Sequence, residues 1–177
     1  MTKWVIADYN VNEFIKSLKA MAKVGPELHI ESYGMSGIKL QTTNTARSVY
    51  FQIIYKSEYF QDHDSDSQQS SYSSVPCNQK CKIPLKYLIK CSSGNMAKVV
   101  DRIQFELSDL TFIYTIFGNH GWVKTFTFNV FDADNLTTHY DMADRVPFLK
   151  CPISGTLNLI TIFNDHRQSL RVLLFNV

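Results

Sequence analysis

Long apolar runs are missing from this sequence. No stretch approaches the roughly 18 apolar residues of a membrane-spanning helix, and the opening MTKWVIADYN lacks the extended apolar core of a secretory leader. The chain is therefore expected to have no membrane segment and to reside in the cytosol or nucleus. Cysteine is sparse: Cys77, Cys81, Cys91 and Cys151 follow no zinc-ligand spacing and are too few for a disulfide scaffold in 177 residues. They are expected as reduced thiols. Charge of one sign is also lacking, because a net charge of +2 is too small to argue for nucleic-acid binding from totals alone. Only the placement of the lysines can do so.

Catalytic signatures are absent as well. There is no Gly-x-Ser-x-Gly, phosphate loop or dinucleotide fingerprint. His29, His63, His120, His139 and His166 are scattered with no pair at metal spacing, and each is expected at a surface or turn. Asp62, His63, Asp64 and Asp66 form the one group with a composition suited to a divalent ion, as in a nuclease. Their Ser/Gln surroundings supply no rigid frame for preoriented ligands. The expectation is a non-enzyme with no cofactor and no metal. Asn135-Leu136-Thr137 is a glycosylation sequon, expected to be silent without a secretory signal.

What is present is apolar and aromatic material, 45% and 13% of residues against 19% charged, enough to bury a sizeable core. Trp4 to Ala7 suits a strand, with Asp8 or Asn10 placed to cap a helix over 11–24. At about 100° per residue, Val11, Phe14, Ile15, Leu18, Met21 and Ala22 fall in one core-facing arc of roughly 120°. Gly25-Pro26 ends the helix. Alternation over 27–32, 38–42 and 48–55, separated by turn residues, predicts an antiparallel meander. Residues 62–75, DHDSDSQQSSYSSV, have no apolar periodicity and are expected to form an exposed, mobile loop.

The pattern then repeats: a strand at 81–83, a short helix with Pro84 in its first turn and Leu85, Leu88 and Ile89 facing inward, and strands over 99–107, 111–117 and 122–128. A β-α-β-β-β unit is written twice, which predicts two amphipathic helices side by side on one face of antiparallel sheets, an α+β fold. The polar 132–144 reads as a connector, and 146–177 begins another strand, helix, strand series with strands at 146–151 and 170–177. The expected domains are 1–130, a connector at 131–145, and the start of a second, similar domain at 146–177. So short a second unit cannot bury enough surface to be stable alone. It is expected to be the least stable region, with RVLLFNV as an unpaired apolar edge.

Residues 17–61, with Arg47-Ser48 after TTNTA and the pair Tyr59-Phe60, together with KCKIPLKYLIK at 80–90, resemble the Rad-nine family of checkpoint clamp subunits. The resemblance runs in order through the whole chain. It implies a DNA-clamp fold similar to proliferating cell nuclear antigen, and a subunit of the nine-one-one clamp that encircles double-stranded DNA without reading its sequence. The implied partners are two other clamp subunits and a clamp loader, in the nucleus. Family members carry a complete second domain and a phosphorylated tail, which this pattern does not contain. Two other readings stay open: a sister subunit of the same ring, or a shortened form that binds clamp partners without encircling DNA.

Within that frame Lys16, Lys19 and Lys23 lie within roughly 60° of one another on the first helix, away from the apolar stripe, and Lys86 and Lys90 are four apart on the second. They are the candidate DNA contacts, five lysines with no base-reading aromatics. Read without the family, they are ordinary solvated helix residues. The resemblance also implies that the last strand of the first domain pairs with a neighbouring subunit. Trp122, Lys124, Thr125, Phe126 and Phe128 are the candidates, with a strand covered within its own chain as the alternative. Residues 129–134 and the 33–37 turn are expected near a groove for partner peptides. Ser67-Gln68 matches a checkpoint-kinase dipeptide, short enough to arise by chance.

Overall fold

The computed structural model describes residues 2–33, 36–47, 49–61, 79–92, 99–108, 110–132 and 172–176. Strand β1 (Thr2–Ala7) leads into helix α1 (Asp8–Val24), followed by β2 (Glu27–Ser32), β3 (Gly37–Thr43), β4 (Tyr50–Lys56) and a 3-10 turn at Ser57–Tyr59. Then come β5 (Lys80–Pro84), α2 (Leu85–Cys91), β6 (Val100–Leu107), β7 (Thr111–Gly118), β8 (Val123–Asn129), β9 (Phe131–Asp132) and β10 (Val172–Asn176). The doubled strand, helix, three-strand order is present, and the class is α+β as expected.

The halves do not form separate sheets. One sheet has the order β1-β6-β7-β8 and the other β10-β4-β3-β2-β5-β9. Each half thus lends its first strand to the other: β1 pairs antiparallel with β6, Thr2 opposite Leu107, and β5 pairs antiparallel with β2, Ile83 opposite Leu28. Period-two patterning reports which face of a strand is buried but not which strand it joins, so this exchange has no local signature.

The inner faces of both sheets and the apolar faces of α1 and α2 enclose one core, with Ile6, Leu18, Met21, Leu28, Tyr55, Phe105 and Tyr114 almost fully buried. Two tyrosine hydroxyls inside it are satisfied by serines. Ser17 Oγ donates to the Phe14 carbonyl at 2.7 Å, which leaves its lone pair to accept from the Tyr55 hydroxyl 2.5 Å away. Tyr114 Oη lies 2.9 Å from Ser92 Oγ at the end of α2. Burial pushes both phenols above their ordinary range, with the serine bonds opposing. Each contact ties a helix to a sheet and leaves no buried hydroxyl orphaned.

Several local expectations are corrected. The helix begins at Asp8, not residue 11, and Ala7 occupies the N-cap with no side-chain bond. Asn10 does not cap; its amide donates to the Tyr59 carbonyl at 3.1 Å while the Tyr59 hydroxyl donates to the Asn10 carbonyl at 3.0 Å. That reciprocal clip secures the first turn from outside the helix and gives Tyr59 a structural role. Ala22 is exposed, whereas Ser17 and Ala20 are fully buried. The buried arc is turned toward that flank, where Ser17 meets Tyr55 of β4. Pro84 closes β5 and caps α2 instead of lying in its first turn. His29 is buried on β2, not at the surface.

Gly25 is required by close approach, since a Cβ there would lie 2.1 Å from the Thr43 carbonyl oxygen. Gly37, at φ +127°, starts β3 in a conformation that L residues avoid. At the C-terminal end β10 adds to β4 in parallel, with Leu174 opposite Gln52, and is the end strand of its sheet among the described residues, so one of its edges is paired and the other stays open. The expected strand at 146–151, the helix after it and the 62–75 loop lie outside the described residues.

Candidate nucleic-acid interface

Helix α1 forms because its apolar positions recur at helical spacing, and that same spacing collects its polar residues on the far side. Tyr9, Asn12, Lys16, Lys19 and Lys23 project within about 80° of one another. Lys19 and Lys23 are exposed and Lys16 half-buried. No position in this arc carries a carboxylate. On α2, Leu85 and Leu88 are buried while Lys86, Tyr87 and Lys90 are exposed on the opposite side. The structure therefore places all five sequence-predicted lysines on two helices that touch one another.

Sequence reasoning missed the aromatic component. Tyr9 is 73% exposed and Tyr87 45% exposed, and the Lys86 ammonium lies 5.0 Å from the Tyr87 ring centroid. With the helix drawn from residue 11, Tyr9 fell outside it. Once α1 begins at Asp8, Tyr9 shares the lysine arc. The signal for Tyr87 was its position between Lys86 and Lys90.

The candidate subunit contact divides differently than expected. β8 is the end strand of its sheet among the described residues, paired only with β7. Phe126 and Phe128 turn inward and pack against the core, the latter 6.2 Å from the Phe112 ring. Both side chains are half-buried. Thr125 Oγ1 lies 3.3 Å from Thr115 Oγ1 on the outward face. Trp122 precedes the strand and its ring fills the space beside Gly118, where a Cβ would lie 1.9 Å from it. The Lys124 ammonium sits 5.2 Å over the same indole.

The last strand of the block is β9, not β8. It belongs to the other sheet, where Phe131 lies opposite Lys82 on β5 and is 57% exposed. The 33–37 turn joins β2 and β3, the two central strands of that sheet. Residues 34, 35, 133 and 134 of the expected groove, and Ser67, Asp62, His63, Asp64 and Asp66, lie outside the described residues. Cys81 is buried, which pushes its thiol up to about 12. Burial raises Cys91 as well. Both are free thiols.

The sequence model of the Rad9 family matches residues 14–149. The chain belongs to the Rad9 family. The match covers α1 from Phe14 onward, all of α2, and every strand except β1 and β10. Among solved structures, the chain is similar to a PCNA2–PCNA3 complex from Sulfolobus tokodaii, with a TM-score of 0.58 and 15% identity. That likeness covers 79% of this chain and 50% of the other, so the Rad9-family chain spans about half the length of the clamp subunit it matches. At this identity the likeness establishes the fold: a clamp-type α+β domain built of antiparallel sheets and two helices.

Proposed function

We propose that this chain is a non-enzymatic subunit of the heterotrimeric checkpoint clamp that encircles double-stranded DNA at damage sites in the nucleus. In this reading it joins two other clamp subunits and is placed on DNA by a clamp loader. The observation that carries the reading is the shared exposed face of α1 and α2. A sliding ring must hold phosphates without reading bases, and Lys16, Lys19, Lys23, Lys86 and Lys90 stand opposite the buried leucines of both helices. Family membership and clamp-type fold support the same assignment. The neighbouring subunit pairs with an edge strand. β8 offers its outer backbone and Thr125, and β9 offers the exposed Phe131.

The test is DNA binding by the chain with Lys16, Lys19 and Lys23 changed together to Glu. Affinity for duplexes of unrelated sequence should fall uniformly. The slope of log K against log salt should flatten by up to about 0.9 for each phosphate that is no longer neutralised. An unchanged affinity and slope would remove these helices from the DNA path. Co-purification with the other two clamp subunits tests the partner assignment independently.

A further inference from the structure

We propose that the α1–α2 face binds single-stranded DNA, stacking unpaired bases on Tyr9 and Tyr87 while the lysines hold the phosphates. The inference rests on the same basic face as the proposed function but names a second substrate class for it. A face that only slides along duplex has no use for aromatic rings, because duplex bases are stacked inside and phosphates lie outside. Unpaired bases present π-faces, and a basic surface interleaved with tyrosines is the chemistry that captures them.

The placement is specific. Tyr9 and Lys23 stand about 21 Å apart along α1 at 1.5 Å per residue, with Asn12, Lys16 and Lys19 between them in one arc. Tyr9 keeps 73% of its surface in solvent although a core of aromatic side chains lies beneath the same helix. On α2 the Lys86 ammonium takes one side of the Tyr87 ring, and 45% of that residue stays exposed. The α1 arc holds no carboxylate and α2 holds none at all, and the two acids of α1, Asp8 and Glu13, fall to either side of the arc at its Tyr9 end, so the lysines outnumber them along the face.

The experiment compares the 177-residue chain, its Tyr9→Ala/Tyr87→Ala variant and its Tyr9→Phe/Tyr87→Phe variant. Each is titrated with labelled oligothymidylate of about 16 nucleotides and with duplex of equal length. Stacking is worth roughly 5- to 150-fold per base. The alanine variant should therefore lose at least about 10-fold on the single strand and change little on duplex, and the phenylalanine variant should bind like the parent.

Equal losses on both nucleic acids, no loss on the single strand, or failure of phenylalanine to restore binding would each overturn the proposal. So would tyrosine-dependent binding to vesicles of anionic lipid with none to the oligonucleotide. Absence of duplex binding in the parent, with tyrosine-dependent single-strand binding intact, would defeat the clamp reading and leave this one standing. Binding to neither would defeat both.

Discussion

Glu31 shows what a single side chain contributes here. It lies on β2 directly between Lys39 on β3 and Lys80 on β5, and its carboxylate pairs with both ammonium groups, with Lys80 at 3.1 Å. Partial burial works to raise its pKa, and the hydrogen bonds from Lys39 and Lys80 outweigh that, so the carboxyl sits below its ordinary value of 4.5. Lys39 moves oppositely: burial lowers it, and the bond to Glu31 more than restores it. A depressed folded-state pKa gives stability that is present above the unfolded value and lost as pH falls through the folded one. Denaturant unfolding of the parent should therefore weaken below pH 4.5 more steeply than that of Glu31→Gln, with the difference gone at lower pH. If the two proteins lose stability in parallel, the triad contributes nothing. The alternation that put Glu31 on the polar face of β2 and Lys39 on the polar face of β3 was legible in the sequence. Their pairing was not, because it depends on strand register.

At the scale of elements, strands and helices were readable where burial has a period. β2, β3, β4, β6, β7 and β8 fall within a few residues of their expected spans. The helix start was not legible, because a capping side chain is the usual sequence signal, whereas Ala7 caps without one and Tyr59 holds the first turn from another element. The same missing signal hid Tyr9 from the candidate site. The lysine faces were legible because helical spacing alone sorts them from the leucines. The edge contact was less so, since inward and outward positions on β8 exchange with a one-residue shift, and Phe126 and Phe128 fell on the core side. β10 gives an element-level prediction. Its parallel pairing covers the side of β4 that β3 leaves open, so removing residues 172–176 should accelerate hydrogen exchange at alternate amides of β4 and spare β2. Unchanged exchange on β4 would show that β10 does not stay docked in solution.

At the scale of the molecule, the two-fold pattern of strand, helix and three strands was visible and led to the α+β class, while the clamp fold was implied by the family resemblance of residues 17–61 and 80–90. The exchange of β1 and β5 between halves was invisible, because nothing in a strand's own residues records a partner about 100 positions away. That exchange predicts mutual dependence. Two polypeptides divided between residues 61 and 79, one carrying β1 to β4 and the other β5 onward, should each be unfolded alone by circular dichroism and regain β-structure on mixing. Independent folding of either piece would contradict the topology.

For a ribosome the consequence is one of timing. The first half leaves the tunnel with β2 lacking its β5 neighbour and β1 lacking any strand to join, so its apolar faces wait in solvent until residue 107 has been made. During that interval the nascent chain depends on whatever shields exposed strands in the cell. A chain stalled midway is a candidate for chaperone capture or degradation, not a stable half-domain.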